Sequence, residues 1–288
     1  MSRSTISHVT PVFGVFVAFF VSIALLFASA DSANAAASPV GLGAANSFAV
    51  LGYSTVTNTG PSTISGDIGL HSGSSVTGFP PGVQTSGAMY VSDALSLQAR
   101  TDANNAFTSA SGQTPVTSLG AVELGGLTLP PDIYETDGVL QASGVLTLDG
   151  GGDSSAVFIF RSTSTLITGS ASQVALTGSA NPCNVFWIVP SSATFGTGSS
   201  FVGTVIASDS IIDNGASSVI GRLLALNGAV TLNNTTVSST GCAAVASAAG
   251  STLPRTGVTA WPLVVAGGVT LASGALLLFL RRRTTRSE

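Results

Sequence analysis

The chain has 288 residues, of which 44% are hydrophobic and 8% charged, and its net charge is −4. It contains no lysine, and between residues 36 and 256 four arginines stand against eleven carboxylates, which leaves no electrostatic footprint for nucleic acid. Two histidines and two cysteines are too few for a zinc site, while the Val, Ile, Leu and Phe content is enough to bury a core.

At the N-terminus, Arg3 and His8 precede an almost wholly apolar run from Val12 to Ala30, and Ala33-Asn34-Ala35 supplies small residues for cleavage. This is the layout of a secretory signal peptide over residues 1–35; the alternative is a retained N-terminal helix. The mature chain then begins near Ala36, and its body to Cys242 is long enough for one domain or two small ones, β architectures often running this long as one. His71, its only histidine, lies in the loop-like Gly69-Leu70-His71-Ser72-Gly73, so a Ser-His-Asp triad has nothing else to be built on. Neither a catalytic nor a metal site is expected. From Ser86 to Ala110, Val91, Leu95, Ala99, Ala103, Ala106 and Ala110 recur at three- and four-residue steps. That spacing predicts an amphipathic helix (about 86–110) with a small-residue face, fit to lie along a flat β-surface. Asp149-Gly150-Gly151-Gly152-Asp153 reads as a glycine turn between strands, since a single copy lacks the carboxylate spacing of a calcium loop.

The second half repeats itself. Ser200-Phe201-Val202-Gly203-Thr204-Val205-Ile206-Ala207 aligns with Ser218-Val219-Ile220-Gly221-Arg222-Leu223-Leu224-Ala225 at an offset of 18, and Gly73-Ser74-Ser75-Val76-Thr77-Gly78 resembles the turn before each. That period suits one coil of a β-solenoid, whose coils stack about 4.8 Å apart. Apolar runs (Phe48–Leu51, Val157–Phe160, Val185–Val189, Val205–Ala207, Leu223–Leu226) each lead into a small polar tract. The runs are expected to line the core, and the tracts to turn onto a neighbouring face. Cys183 and Cys242, in an exported chain, are read as one disulfide, with two buried thiols as the alternative.

After Cys242 comes an Ala/Ser-rich linker (243–252), then Leu253-Pro254-Arg255-Thr256-Gly257, an apolar stretch from Val258 to Leu280, and a basic tail (281–288) with Arg281, Arg282, Arg283 and Arg286. About 20 apolar residues span a ~30 Å hydrocarbon core, and arginines stay on the cytoplasmic side. Together these features resemble the cell-wall sorting signal of Gram-positive surface proteins. The resemblance implies a transmembrane segment over 258–280 and a sortase that cuts between Thr256 and Gly257. Thr256 is then joined to peptidoglycan, with Leu253, Pro254, Thr256 and Gly257 as the recognition residues.

The body of the chain carries, in order, Phe48-Ala49-Val50-Leu51, Ile64-Ser65-Gly66-Asp67-Ile68-Gly69, Val76 to Gly82, Leu124 to Pro130, Leu146 to Gly150, Ala156 to Phe160, Asn184-Val185-Phe186-Trp187 and Gly221 to Ala225. These motifs resemble the microbial ice-binding proteins over roughly residues 39–242. The resemblance implies a discontinuous right-handed parallel β-solenoid of triangular section, all-β dominated, with one long α-helix packed alongside. Pro131-Asp132 stands where the family commonly has Pro-Gly, a change confined to a turn. Strict Thr-x-Thr rungs, which some ice binders carry, occur only locally, at Thr55-Val56-Thr57, Thr57-Asn58-Thr59 and Thr163-Ser164-Thr165.

The expected function is therefore a secreted, wall-anchored ice-binding (antifreeze) protein of a Gram-positive bacterium that acts by surface matching, without a cofactor. Its expected partners are the ice crystal surface, sortase and peptidoglycan, and it meets the membrane only through the C-terminal sorting segment. The polar tracts give the expected ice-binding residues: Ser54, Val56, Ser162, Ser164, Ser191, Ala193, Ser208, Ser210, Asn227 and Ala229. The alternative is a wall-attached adhesive solenoid that binds glycan. A solenoid polysaccharide lyase would need carboxylates and basic residues clustered on one face, which four scattered arginines do not provide.

Overall fold

The structure, a computed structural model, describes residues 37–240. The expected signal peptide, linker, LPRTG motif, apolar segment and basic tail lie outside the described residues, as does Cys242. Among the described residues no helix is long and apolar enough to cross a membrane.

Each coil supplies three strands, one to each side of a three-sided solenoid, and the strands pair in parallel. The first side holds β1 (Phe48–Gly52), β4 (Asp67–Leu70), β7 (Met89–Val91), β8 (Thr117–Gly120), β10 (Ile133–Thr136), β13 (Phe158–Ser162) and β16 (Val185–Val189). The second is the seven-stranded sheet of β2 (Thr55–Thr59), β5 (Ser75–Thr77), β11 (Leu140–Ala142), β14 (Leu166–Thr168), β17 (Ala193–Phe195), β19 (Ile211–Asp213) and β21 (Val230–Asn233). The third holds β3 (Thr63–Ser65), β6 (Val83–Ser86), β9 (Thr128–Leu129), β12 (Val145–Asp149), β15 (Gln173–Thr177) and β22 (Thr236–Ser238). Two eight-residue strands, β18 (Ser200–Ala207) and β20 (Ser218–Ala225), run along the third side and bend onto the first. The bend is made at Gly203 and Gly221, which pair with each other at φ 111° and 151°. A Cβ on Gly221 would lie 1.9 Å from the Gly203 carbonyl oxygen, so no other residue fits. The 18-residue offset in the sequence is this pairing, residue for residue from Ser200↔Ser218 to Ala207↔Ala225. The early copy of the turn is different: Ser75–Thr77 forms β5 on the second side.

The coils do not stack in chain order. On the first side the order is β7-β4-β1-β20-β18-β16-β13-β10-β8, so β1 lies between β4 and the C-terminal β20, with Val50 opposite Leu223. The chain must therefore return from one tip of the solenoid to the other before β8, and α1 (Ala94–Ser111) makes the return. Its 18 residues rise about 27 Å, five to six coils at ~4.8 Å each. The helix starts eight residues later than the apolar recurrence predicted. Residues 86–93 hold β7 and the N-cap instead, where Asp93 Oδ1 accepts from Ser96 N (2.8 Å) and Ser96 Oγ accepts from Asp93 N (3.1 Å). Val91 fell on the helical recurrence by chance, and its place is in β7.

On the first side β1, β13 and β16 are buried on both faces, which is why they read as continuous apolar runs. Inward, Tyr134, Phe160, Trp187, Phe201 and Phe195 form a column with centroid separations of 4.3 to 5.3 Å, stacked from Tyr134 to Trp187, then tilted and edge-on. Outward, Phe48, Leu51, Ile159, Phe186, Ile188, Ile206 and Leu224 pack against Ala99, Ala103, Ala106 and Ala110 of α1. Two arginines fasten the helix. Arg100 lies 4.4 Å from the Tyr53 ring centroid and donates to Leu226 O. Arg161 donates to Ser111 O and Gln113 O at the helix end and pairs with Glu135 at 2.9 Å.

Candidate functional site

The seven-stranded side has no covering helix, and its strands alternate. Leu140, Leu166, Ala193, Ile211, Val230, Val56 and Val76 stand in one line and point inward, all but Val76 fully buried. The next residue of each strand points out, giving the line Gln141, Ile167, Thr194, Ile212, Thr231, Thr57 and Thr77. Two residues back along the chain a second outward line runs through Thr165, Ser192, Ser210, Ala229, Thr55 and Ser75. Every strand of this sheet keeps an unshifted register with its neighbours. Rungs are therefore about 4.8 Å apart, with outward side chains about 6.7 Å apart along each strand. Neither line contains a charged residue.

The borders of this side are pinned. Ser210 Oγ accepts from Ala229 N at 3.1 Å, and Ser192 Oγ accepts from Ser210 N at 3.3 Å, so these hydroxyls are held from coil to coil. At the corner with the third side, Ser199, Ser217 and Thr235 are buried, and so is Asp213 of β19. Asp213 accepts from Ser217 Oγ (2.6 Å), Gly215 N (3.2 Å) and Thr235 Oγ1, while Ser217 and Ser199 Oγ lie 3.1 Å apart. A buried carboxylate that accepts several hydrogen bonds ties three coils together at this edge.

The sequence-derived candidates are divided by this geometry. Ser210 and Ala229 lie on the outward lines. Val56 and Ala193 are fully buried in the core and do not reach the surface. Ser162 is buried as well, with its Oγ bonded to Gly138 O and Thr165 O. Ser54, Ser164, Ser191, Ser208 and Asn227 sit at the corner with the first side, outside the rungs. There Asn227 Oδ1 accepts from Arg100 and its Nδ2 donates to Ser208 O, while Ser191 Oγ donates to Asp209. The outward residues that counting missed are Thr57, Thr165, Ile167, Ser192, Thr194, Ile212 and Thr231. Thr55-Val56-Thr57 was the legible signal, because its two threonines straddle a buried valine. Among the described residues no group of His, Cys, Asp and Glu could hold a metal ion, and the glycine turn after Asp149 is a turn, with Gly151 N donating to Asp149 Oδ1.

The third side is also free of charge along much of its length, but its lattice is interrupted. β15 meets β18 at the single pair Gln173↔Ser200, whereas β12 and β15 share five pairs. Fold and surface thus define a class of protein: a parallel solenoid, helix-covered on one side, with one array of small hydroxyl and aliphatic side chains in unbroken register. The comparisons with known proteins agree with that class. Residues 50–238 match the family described as ice-binding-like, and residues 246–285 match the LPXTG cell wall anchor motif. An ice-binding protein of Nostoc sp. (strain HG1) is 44% identical over 213 residues, covering 74% of this chain and 78% of the relative. One from Colwellia sp. is 35% identical, covering 75% and 91%. The crystal structure of an ice-binding protein from an Antarctic biological consortium superposes with a TM-score of 0.68 at 43% identity, covering 70% of this chain and 91% of that one. That of the Antarctic ascomycete Antarctomyces psychrotrophicus gives 0.68 at 40%, covering 70% and 98%. This chain belongs to the ice-binding-like family.

Proposed function

We propose that this chain is a non-catalytic ice-binding protein that meets ice with its seven-stranded side and is joined to peptidoglycan at Thr256. The observation that carries the reading is the unbroken, charge-free register of the two outward lines. Hydroxyls at fixed spacing hold waters in an array, and the methyl groups of Thr, Ala and Ile cage them. Because Ser192 and Ser210 are pinned from coil to coil and the strands keep one register, ordering that water layer costs less than on a mobile surface. The interruption between β15 and β18 makes the third side a poorer lattice. The wall attachment rests on Leu253, Pro254, Thr256 and Gly257, with sortase as the enzyme and a Gram-positive wall as the destination. Phe158, Phe160, Phe186 and Trp187 are all buried, so they give the glycan-adhesin alternative no platform for sugar rings. The Cys183–Cys242 bridge belongs to the same proposal; no described cysteine is free.

Thr231→Tyr tests the reading. On a rigid array one bulky ring holds the ice front several ångströms off, so arrest of crystal growth should fall at least about tenfold. The melting temperature should hold, because surface substitutions usually stay within about 0.5 kcal/mol. Thr236→Tyr on the third side and Asn105→Tyr on the exposed side of α1 should keep activity. Asp102 is not a clean control, because its carboxylate accepts from Ala44 N at 2.8 Å. Loss at Thr236 with retention at Thr231 would move the site to the third side, and a wild type that ignores ice would return the glycan reading.

A further inference from the structure

We infer that the wall-attached protein is a cell-to-ice adhesin, tethered by its flank at the corner opposite the seven-stranded side. The inference rests on the proposed ice face and wall attachment, and adds where the tether leaves the fold and what that makes the protein do.

Three sides meet at three corners, and the chain passes from first to second to third and back to first. The last strand, β22, lies on the third side, with Ser238 opposite both Ser65 and Ile220. Ser239 therefore falls in the column of Gly66, Gly221 and Gly203, where the third side turns onto the first. Its backbone N donates to Ser65 O at 2.9 Å and its Oγ to the same oxygen at 3.2 Å, so the fold holds the chain to that corner up to its departure. In a three-sided section, the side across from this corner is the seven-stranded one. Cys183 stands at the same corner, two residues before Val185, which begins β16. A Cys183–Cys242 bridge would then clamp the exit in place.

The exit is also set in from both tips, two strands from one and further from the other. β22 lies between β20 and β3, with β6 beyond β3 on one side and β18, β16, β13, β10 and β8 beyond β20 on the other. This follows from the broken stacking order: the N-terminal coils dock beyond the C-terminal coil, so the chain end comes to the flank. Had the coils stacked in chain order, the tether would leave from a tip and hold the array edge-on to the wall. A flank tether opposite the array leaves it broadside and unobstructed. The other end agrees, because Ser38 N donates to Gln113 Oε1 and Gln113 Nε2 to Ser38 O, beside the C-terminal end of α1. Residues 241–252 reach at most about 40 Å from fold to motif. Each copy therefore stays close to its own peptidoglycan stem, and many copies can meet one ice surface together. Simultaneous engagement multiplies the hold on ice without any new contact.

The test displays the full chain on a Gram-positive host and lets a slow ice front advance through the cells. Cells carrying the wild type should be captured at least about tenfold more than cells carrying Thr231→Tyr. A Leu253→Ala/Pro254→Ala chain should lose its link to peptidoglycan and fractionate with the membrane or the medium. Because the chain has no lysine, a single introduced lysine adds one new site for a dextran-bound amine reagent above the background of the N-terminal amine. On intact cells Thr231→Lys should label within about twofold of its rate in the released protein, and Thr240→Lys at least about fivefold more slowly. Uncaptured cells whose released protein still arrests ice would overturn the adhesin with the ice reading intact, as would a shielded Thr231→Lys. A released protein that ignores ice sinks the ice reading itself, and the adhesin falls with it.

Discussion

The first and second sides of the solenoid are built from the same coils at the same spacing, yet they end in opposite states. Outward positions of the first side are chiefly Phe, Leu and Ile, with Arg161 and Glu135 near the helix end, and α1 covers the apolar ones through a line of alanines. Those of the second side are Thr, Ser, Ala and Ile, with Gln141 at one edge, and nothing among the described residues covers them. Stacking imposes a lattice on every side alike; side-chain type decides whether that lattice becomes an interior or a surface. The helix is thus the device that lets one side carry large apolar residues outward, and its absence from the second leaves a plane available to a solid.

That contrast is broken most severely from the inside. Trp187→Ala removes the centre of the aromatic column and leaves Val202 O without its 2.9 Å indole donor. The loss should be about 3–5 kcal/mol, read as a large fall in melting temperature, while the fraction still folded keeps its action on ice. Ala103→Leu acts at the cover: overpacking there should cost about 1–3 kcal/mol and loosen α1. Hydrogen exchange should rise across the helix and stay unchanged in β19 and β21. If ice activity falls in step with helix exchange, the two sides are coupled and the comparison fails. The smallest effect is one of pH. Hydrogen bonds from Ser96 hold the Asp93 carboxyl below its ordinary 3.8, chiefly through the backbone N–H. A lowered carboxylate pKa stabilises the fold above the unfolded value, and that contribution is lost as pH falls through the folded one. Wild type should therefore lose its small advantage over Asp93→Asn only in acid below about pH 4, by melting curves across pH.

Much of the architecture was legible because a solenoid writes its period into the chain. The 18-residue offset fixed the pairing of β18 with β20, and unbroken apolar runs marked the side buried on both faces. The surface residues were less legible for a reason of parity. Alternation has period two, so a slip of one residue sends every side chain to the other face. Corners between the first and second sides differ in length, as Pro190-Ser191-Ser192 and Leu226-Asn227-Gly228-Ala229 show, and counting from the end of each apolar run loses the parity there. Val56 and Ala193 were reached by that slip, and Thr57 and Thr194 missed by it. The helix start was blurred because Val91 of β7 continued the helical recurrence by chance, although Asp93 with Ser96 three residues on carried the cap.

The junction of β1 with β20 has a consequence in time. Val50 must wait for Leu223, so the strand synthesised first has as one neighbour a strand that emerges near the end of the domain. Contacts so distant along the chain close slowly, and the first coil, paired with β4 on one side, lacks β20 on the other until nearly the whole domain has emerged. In a chain exported as proposed, that delay would be useful, because β20 closes against β1 only when most of the domain has emerged.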